Sequence, residues 1–152
     1  MKKVAIGSDQ NGFRLKEIIK EHMMAKGVEV VDYGVYDENP VDYPDIALKV
    51  AQEVAAGKFD RAVLICGTGI GMAIAANKVP GVRAAQCYDV YSAERSRKSN
   101  NAQVITLGAQ VTGPELAKKL IDAWLESEFE GGRSLPKVEK INEIDRQFHA
   151  CS

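Results

Sequence analysis

The run Arg61-Ala62-Val63-Leu64-Ile65-Cys66-Gly67-Thr68-Gly69-Ile70-Gly71 decides the fold. Arg61 to Ile65 reads as a buried strand. A cysteine ends it, glycines follow at alternate positions 67, 69 and 71, and the alanine-rich Met72 to Lys78 reads as a helix. Strand, glycine loop and helix in that order make a place where backbone N–H groups point outward and an anion can sit. The Cys66 thiol stands at its mouth, where a helix N-terminus favours negative charge. An anion cradle and a candidate base or nucleophile thus lie within a few residues of each other.

Working outward, Val4-Ala5-Ile6-Gly7 reads as a first strand and Ser8 to Gly12 as a polar loop. Phe13, Ile18, Ile19, Met23 and Met24 recur at helical spacing up to Lys26, and Gly27 supplies the stop. Val28 to Tyr33 is the next strand, followed by a loop to Pro44. Asp45 is placed to cap a helix from Ile46 to Ala56, which Gly57 ends. Beyond the central run, Val82 to Cys87 and Val104 to Gly108 read as strands, and Tyr91 to Lys98 as a helix. Gly113-Pro114 opens a long helix through about Ser127. Gly131-Gly132 breaks the chain before a final helix, Pro136 to Phe148, and the tail from about Gln147 carries no helix-length pattern of its own.

Strands and helices alternate throughout. The pattern predicts an α/β fold, an open doubly wound parallel sheet with helices on both faces, as a single domain over residues 1–152. Ligands in such sheets bind outside the carboxyl ends of the strands. The loops holding Ser8-Asp9-Gln10, Cys66-Gly67-Thr68 and the residues after Gly108 should therefore share one edge.

Composition narrows the function. The 152 residues are 45% hydrophobic and 27% charged, as in a soluble globular protein. A net charge of -1 gives no support to a nucleic-acid or membrane-surface partner. Cys66, Cys87 and Cys151 have neither metal-ligand spacing nor an even count, so reduced thiols in the cytoplasm are the expectation, with no metal. The strand-like start is too short for a signal-peptide core. The glycines do not match the dinucleotide fingerprint, and no Gly-Lys-Ser/Thr follows them. Met72 stands where a cysteine phosphatase would need an arginine to close the loop. A cysteine protease would need a histidine, and His22 and His149 both read as solvent-facing.

Gly7-Ser8-Asp9, Asp42-Tyr43-Pro44, Ile65 to Gly71, Ala75-Ala76-Asn77-Lys78, Gly81-Val82-Arg83-Ala84 and Glu130-Gly131-Gly132-Arg133 together resemble the ribose-5-phosphate isomerase B family, which includes the galactose-6-phosphate isomerase subunits. The similarity runs from Met1 to about Ile144. It implies an aldose–ketose isomerase of a small-molecule sugar phosphate, without metal or organic cofactor. It also implies a homodimer or tetramer with active sites shared between subunits. Such an enzyme moves a proton between C1 and C2 through an enediolate. The resemblance assigns Cys66 as base and Asp9 as the acid that handles hydroxyl protons. The amides of Gly67, Gly69 and Gly71 and the Thr68 hydroxyl would meet the developing oxyanion. Ser8, Gln10, Tyr43, Ser99, Asn100 and Gln110 fall at substrate-binding positions, and Arg133 and Lys137 at phosphate-binding ones. The residues alone also admit plainer roles: Cys66 as a small strand end, Asp9 as a helix cap, Arg133 as a solvated charge.

The chain departs from the family's usual pattern at the ligand. Gln10, Ser99 and Ser134 stand where histidines are usual, and Gln110 and Lys137 where arginines are. Asn100 is retained. The histidine matching Ser99 is the one associated with opening the furanose ring, and serine is no acid–base group at neutral pH. Losing cationic groups at 10 and 110, and a planar fork at 137, weakens a phosphate site. Three readings stay open. One is a ribose-5-phosphate isomerase with an altered ring-opening and phosphate region. Another is an isomerase of an open-chain tetrose or tetrulose 4-phosphate or another modified sugar. The third is a non-catalytic sugar-phosphate binding protein.

Overall fold

The computed structural model describes residues 2–149. The apolar runs form strands β1 (Lys3–Ser8), β2 (Glu29–Asp32), β3 (Arg61–Cys66), β4 (Ala84–Gln86) and β5 (Val104–Gly108). All pairs are parallel and the order is β2-β1-β3-β5-β4. The connecting helices are α1 (Phe13–Ala25), α2 (Tyr43–Ala55), α3 (Ile70–Asn77), α4 (Val90–Lys98) and α5 (Pro114–Glu126). A 3-10 turn at Gly132–Ser134 leads into α6 (Leu135–His149). The doubly wound α/β sheet expected from the alternation is the fold observed.

Successive strand residues point to opposite faces, and the core divides accordingly. Val4, Ile6, Val63, Ile65, Ile105 and Leu107 pack on one face under α1, α4 and α5, with Trp124 fully buried among them. Ala5, Ala62, Leu64, Cys66 and Val104 pack on the other face under α2 and α3. Parity alone therefore puts the Cys66 side chain on the α2/α3 face.

Helix starts are where sequence and structure differ most. The second helix begins at Tyr43, with Asp42 as the flanking residue, rather than after Asp45. Pro44 occupies its first turn, where a missing N–H costs nothing. This puts Tyr43 on the helix rather than in the preceding loop. The third helix begins at Ile70, because Gly69 adopts φ +81° and turns the chain directly into it. The fourth begins at Val90, with Asp89 accepting from the Ser92 N–H. The last helix runs on to His149, past the expected fading of the pattern at Gln147, with His149 paired to Asp145 at 2.5 Å. Cys151 lies outside the described residues.

His22 is not simply solvent-facing. Its Nε2 lies 2.7 Å from Asp122 Oδ1, joining α1 to α5. Cys87 is buried, and burial pushes its thiol up to about 11, consistent with an apolar filler.

Candidate active site

The edge at the carboxyl ends of β1, β3 and β5 carries the candidate chemistry. Strand order reverses between β1 and β3, so the chain leaves these neighbours in opposite directions and opens a crevice there. Asp9 follows β1 and Cys66 ends β3. Asp9 N–H donates to the Ile65 carbonyl at 3.2 Å, fastening the two loops side by side. Gly12 allows this approach, since a Cβ there would lie 2.7 Å from the Ile65 oxygen.

Asp9 is 4% exposed. Burial raises its carboxyl above the usual range, against the opposing pull of the Gly12 and Asn11 backbone N–H groups. Its Oδ1 accepts from Gly12 N–H at 3.0 Å, so it does organise the start of α1 while keeping its second oxygen for other partners.

The glycine loop closes on Cys66. Gly69 N–H donates to Cys66 Sγ at 3.2 Å. That amide thus serves the sulfur, not the open cradle the sequence suggested. Ile70 N–H donates to Thr68 Oγ1 at 3.2 Å, leaving the Thr68 hydroxyl hydrogen free to point outward. The loop lies tight on β5: a Cβ at Gly69 would come within 2.9 Å of Leu107 backbone, and one at Gly108 within 2.6 Å of Thr68 backbone. Thr106 Oγ1 donates to the Gly69 carbonyl at 2.7 Å.

Around this centre, Tyr43 lays its ring over Gly71, where a Cβ would be 2.4 Å from the ring. Gln110 N–H donates to the Gly67 carbonyl at 2.9 Å, and its side chain covers Gly67. Gln10 Oε1 accepts from Val41 N–H at 3.0 Å, tying the loop before α2 over the site. Ser8 is different. It is fully buried, its backbone is held by Gly34 and Val35, and its hydroxyl has no partner among the described residues.

The remaining candidates are not at this edge. Helix α4 runs back down the sheet, so Ser99 and Asn100 lie at its lower end, shortly before β5 begins. Ala62 pairs with Val104 and Cys66 with Gly108, so the two edges are about 13 Å apart along the strands. Ser99 Oγ accepts from Arg95 Nε at 2.8 Å, and Asn100 is exposed. Glu130 N–H donates to the Lys98 carbonyl, which brings Arg133 and Lys137, both exposed, to the same far edge. Within one chain these four residues are separated from Cys66 and Asp9.

The residues that sequence reasoning missed are Gln86, Tyr88 and Thr106, all of which hold the Thr68–Gly69 backbone. The only signal was position: Tyr88 follows a strand, but nothing in the sequence says that β4 lies close enough to reach across β5.

A cavity of about 540 Å³ opens at the far edge, among Arg61, Arg83, Arg97 and neighbouring lysines. Its arginines serve the scaffold. Arg61 donates to the carbonyls of Trp124 and Ser127 at the end of α5, and Arg97 to that of Ala102. Burial, with Arg61 nearby, brings Arg97 down to about 10.

A buried carboxyl and a thiol on adjoining loops, with a glycine loop at a topological switch point, suit proton transfer between adjacent carbons. The family model described as Ribose/Galactose Isomerase matches residues 4–141. The chain belongs to the ribose/galactose isomerase family. Family members close to it include a D-erythrulose-4-phosphate isomerase of Pectobacterium atrosepticum, 57% identical over 97% of both chains. A ribose-5-P isomerase B of Listeria innocua is 53% identical over 95% of this chain and 98% of its own. The ribose-5-phosphate isomerase B of Clostridium thermocellum superposes with a TM-score of 0.94 at 48% identity, covering 96% of this chain and 99% of that one. The chain is accordingly an enzyme, a sugar-phosphate isomerase that interconverts aldose and ketose. Among the described residues no helix is long and apolar enough to cross a membrane.

Proposed function

We propose that the substrate is an open-chain four-carbon sugar phosphate, with D-erythrulose 4-phosphate and D-erythrose 4-phosphate as the interconverted pair. One observation carries this reading: the ring-opening position holds Ser99, whose hydroxyl is already engaged by Arg95. A tetrose carrying phosphate on O4 has no hydroxyl with which to close a furanose, so it needs no ring-opening residue. The relative named D-erythrulose-4-phosphate isomerase supports the same choice. The relative named ribose-5-P isomerase B keeps ribose 5-phosphate as the second reading.

In this mechanism Cys66 removes the proton from one carbon and returns it to its neighbour. Asp9, whose carboxyl burial raises above the usual range, relays the proton between the two substrate oxygens. Thr68 and the amides of Gly67 and Gly71 meet the enediolate oxygens. Tyr43, Gln10 and Gln110 line the sugar, and Ser8 acts from beneath as a packed residue. Phosphate binding falls to Arg133 and Lys137. Because these lie at the opposite edge of the same chain, the site is completed by Ser99, Asn100, Arg133 and Lys137 from a second copy, in a homodimer or tetramer. The enzyme works as one domain in the cytoplasm, without cofactor or metal.

The test is turnover of erythrulose 4-phosphate and erythrose 4-phosphate against ribose 5-phosphate, with Cys66→Ala as control. Preference for the four-carbon pair, lost in the variant, supports the proposal. A higher kcat/KM for ribose 5-phosphate rejects it.

A further inference from the structure

Two side chains at the end of β4 converge on one backbone atom beside the thiol. Tyr88 Oη donates to the Thr68 carbonyl at 2.7 Å, and Gln86 Nε2 donates to the same oxygen at 3.0 Å. The second Gln86 amide hydrogen is donated to Tyr88 Oη, so each side chain fixes the other. They reach Thr68 because Gly108, on the intervening strand, carries no side chain to keep the loop off β5.

The Thr68 carbonyl and the Gly69 N–H belong to one planar peptide unit and point in opposite directions. The N–H of that unit donates to Cys66 Sγ. Anchoring its carbonyl therefore aims its N–H at the sulfur. A carbonyl that accepts two hydrogen bonds also polarises its own peptide and strengthens the N–H as a donor. The loop packs on β5, but the hydrogen bonds given to the Thr68 carbonyl itself are those from Tyr88 and Gln86, and Thr68 is exposed on its outer side. The next carbonyl, that of Gly69, is held separately by Thr106, so the Thr68–Gly69 unit is the one that Tyr88 and Gln86 control.

We infer that Tyr88, braced by Gln86, is a positioning residue for Cys66, holding the amide that donates to its sulfur. For catalysis this deepens the isomerase reading proposed above and rests on it. For the thiol's reactivity it stands alone.

The experiment uses the full chain with Tyr88→Phe and Gln86→Met, which remove the donors and keep the bulk. Iodoacetamide alkylation of Cys66 at pH 7 is followed by mass spectrometry, with buried Cys87 as internal reference, alongside steady-state kinetics. Losing one hydrogen bond to this peptide should slow alkylation and lower kcat, each roughly fivefold, with KM within about twofold. Both variants should move in the same direction. Alkylation at the wild-type rate in both variants overturns the inference. So does a raised KM with unchanged kcat, since that makes Tyr88 a substrate contact. If Tyr88→Phe does not fold, alkylation of Gln86→Met decides. If the wild type turns over none of the sugars, the function proposal fails, and the alkylation comparison still tests the positioning role.

Discussion

Gly69→Ala and Gly57→Ala make a matched pair that separates two penalties. Both glycines have left-handed backbone, φ +81° and +82°. A Cβ at Gly57 meets nothing within 4 Å. At Gly69 it would lie 2.9 Å from the Leu107 carbonyl carbon and 3.1 Å from its oxygen. Leu107 belongs to β5, which is hydrogen-bonded to β3 on one side and β4 on the other, so that backbone cannot yield. Gly57→Ala should therefore cost only the left-handed penalty, roughly 1–2 kcal/mol, and leave activity intact. Gly69→Ala should cost that plus displacement of the loop, for a total of roughly 2–5 kcal/mol with the usual cost of overpacking added. The loop must move away from β5, which takes the Gly69 N–H off Cys66 Sγ and lowers kcat by roughly 10²-fold, as when an oriented donor is lost. Urea midpoints at one fixed protomer concentration, with kcat measured in parallel, test both parts. Equal destabilisation in the two variants, or wild-type kcat in Gly69→Ala, would refute the argument.

Asp9→Asn should separate stability from activity. Burial raises the Asp9 carboxyl, so its charge opposes folding as pH rises through that value. Asn keeps an acceptor for Gly12 N–H without the charge, so urea stability at pH 7 should be unchanged or higher while kcat falls roughly 10²–10⁴-fold. Asp32 has the opposite sign. Burial would raise it, but Lys16, the Gly34 N–H and Lys20 outweigh burial and hold it below the usual range. Its contribution is present above the ordinary carboxylate range and is lost as pH falls through the lowered value. Asp32→Asn should flatten the acid limb of the urea midpoint against pH. It should also cost about 3 kcal/mol at pH 7, the low end for breaking a buried pair, because fully buried Lys16 keeps Glu17 at 2.8 Å. Ser99→His should raise kcat/KM for ribose 5-phosphate while leaving that for erythrulose 4-phosphate within about threefold, a prediction specific to ring opening. Equal changes for both sugars would count against the assigned role of position 99.

The reach of the sequence followed the kind of physics each feature depends on. Strand β3 and the loop after it were legible because local rules govern them: a continuous apolar run, then glycines wherever backbone must approach backbone. Alternation of elements implies parallel strands, and parallel strands put Asp9 and Cys66 at one edge. The start of α2 was not legible, because Asp42 and Asp45 are both plausible capping residues and only the placement of Pro44 in the first turn decides between them. Gly69 looked like one amide among three, and its N–H proved committed to Cys66, a matter of loop path that spacing does not encode. Tyr88 was invisible for a stricter reason. Its partner, Thr68, is twenty residues away, and they meet only because β5 inserts between β3 and β4 and ends in a glycine.

The separation of the two edges also bears on how the substrate can change while the reaction does not. Among the described residues, the loop bonds that hold Cys66 and Asp9 come from the upper edge of their own chain: Gly69 on the sulfur, Ala109 on the Cys66 carbonyl, Gly12 on the Asp9 side chain and carbonyl, and Ile65 on the Asp9 N–H. Ser99, Asn100, Arg133 and Lys137 share none of those bonds. In the proposed assembly they meet the substrate from another copy, so replacing them alters which sugar is held without disturbing the thiol or its amide. Gln10 and Gln110 are the exceptions. Gln10 ties down the loop before α2, and Gln110 lies on Gly67, one residue from the thiol. Substitutions at these two positions should therefore change kcat as well as KM, whereas changes at Ser99 and Lys137 should act on substrate preference alone. A Lys137→Arg variant that raised affinity for sugar phosphates with kcat unchanged, beside a Gln110→Arg variant that altered both, would match that division.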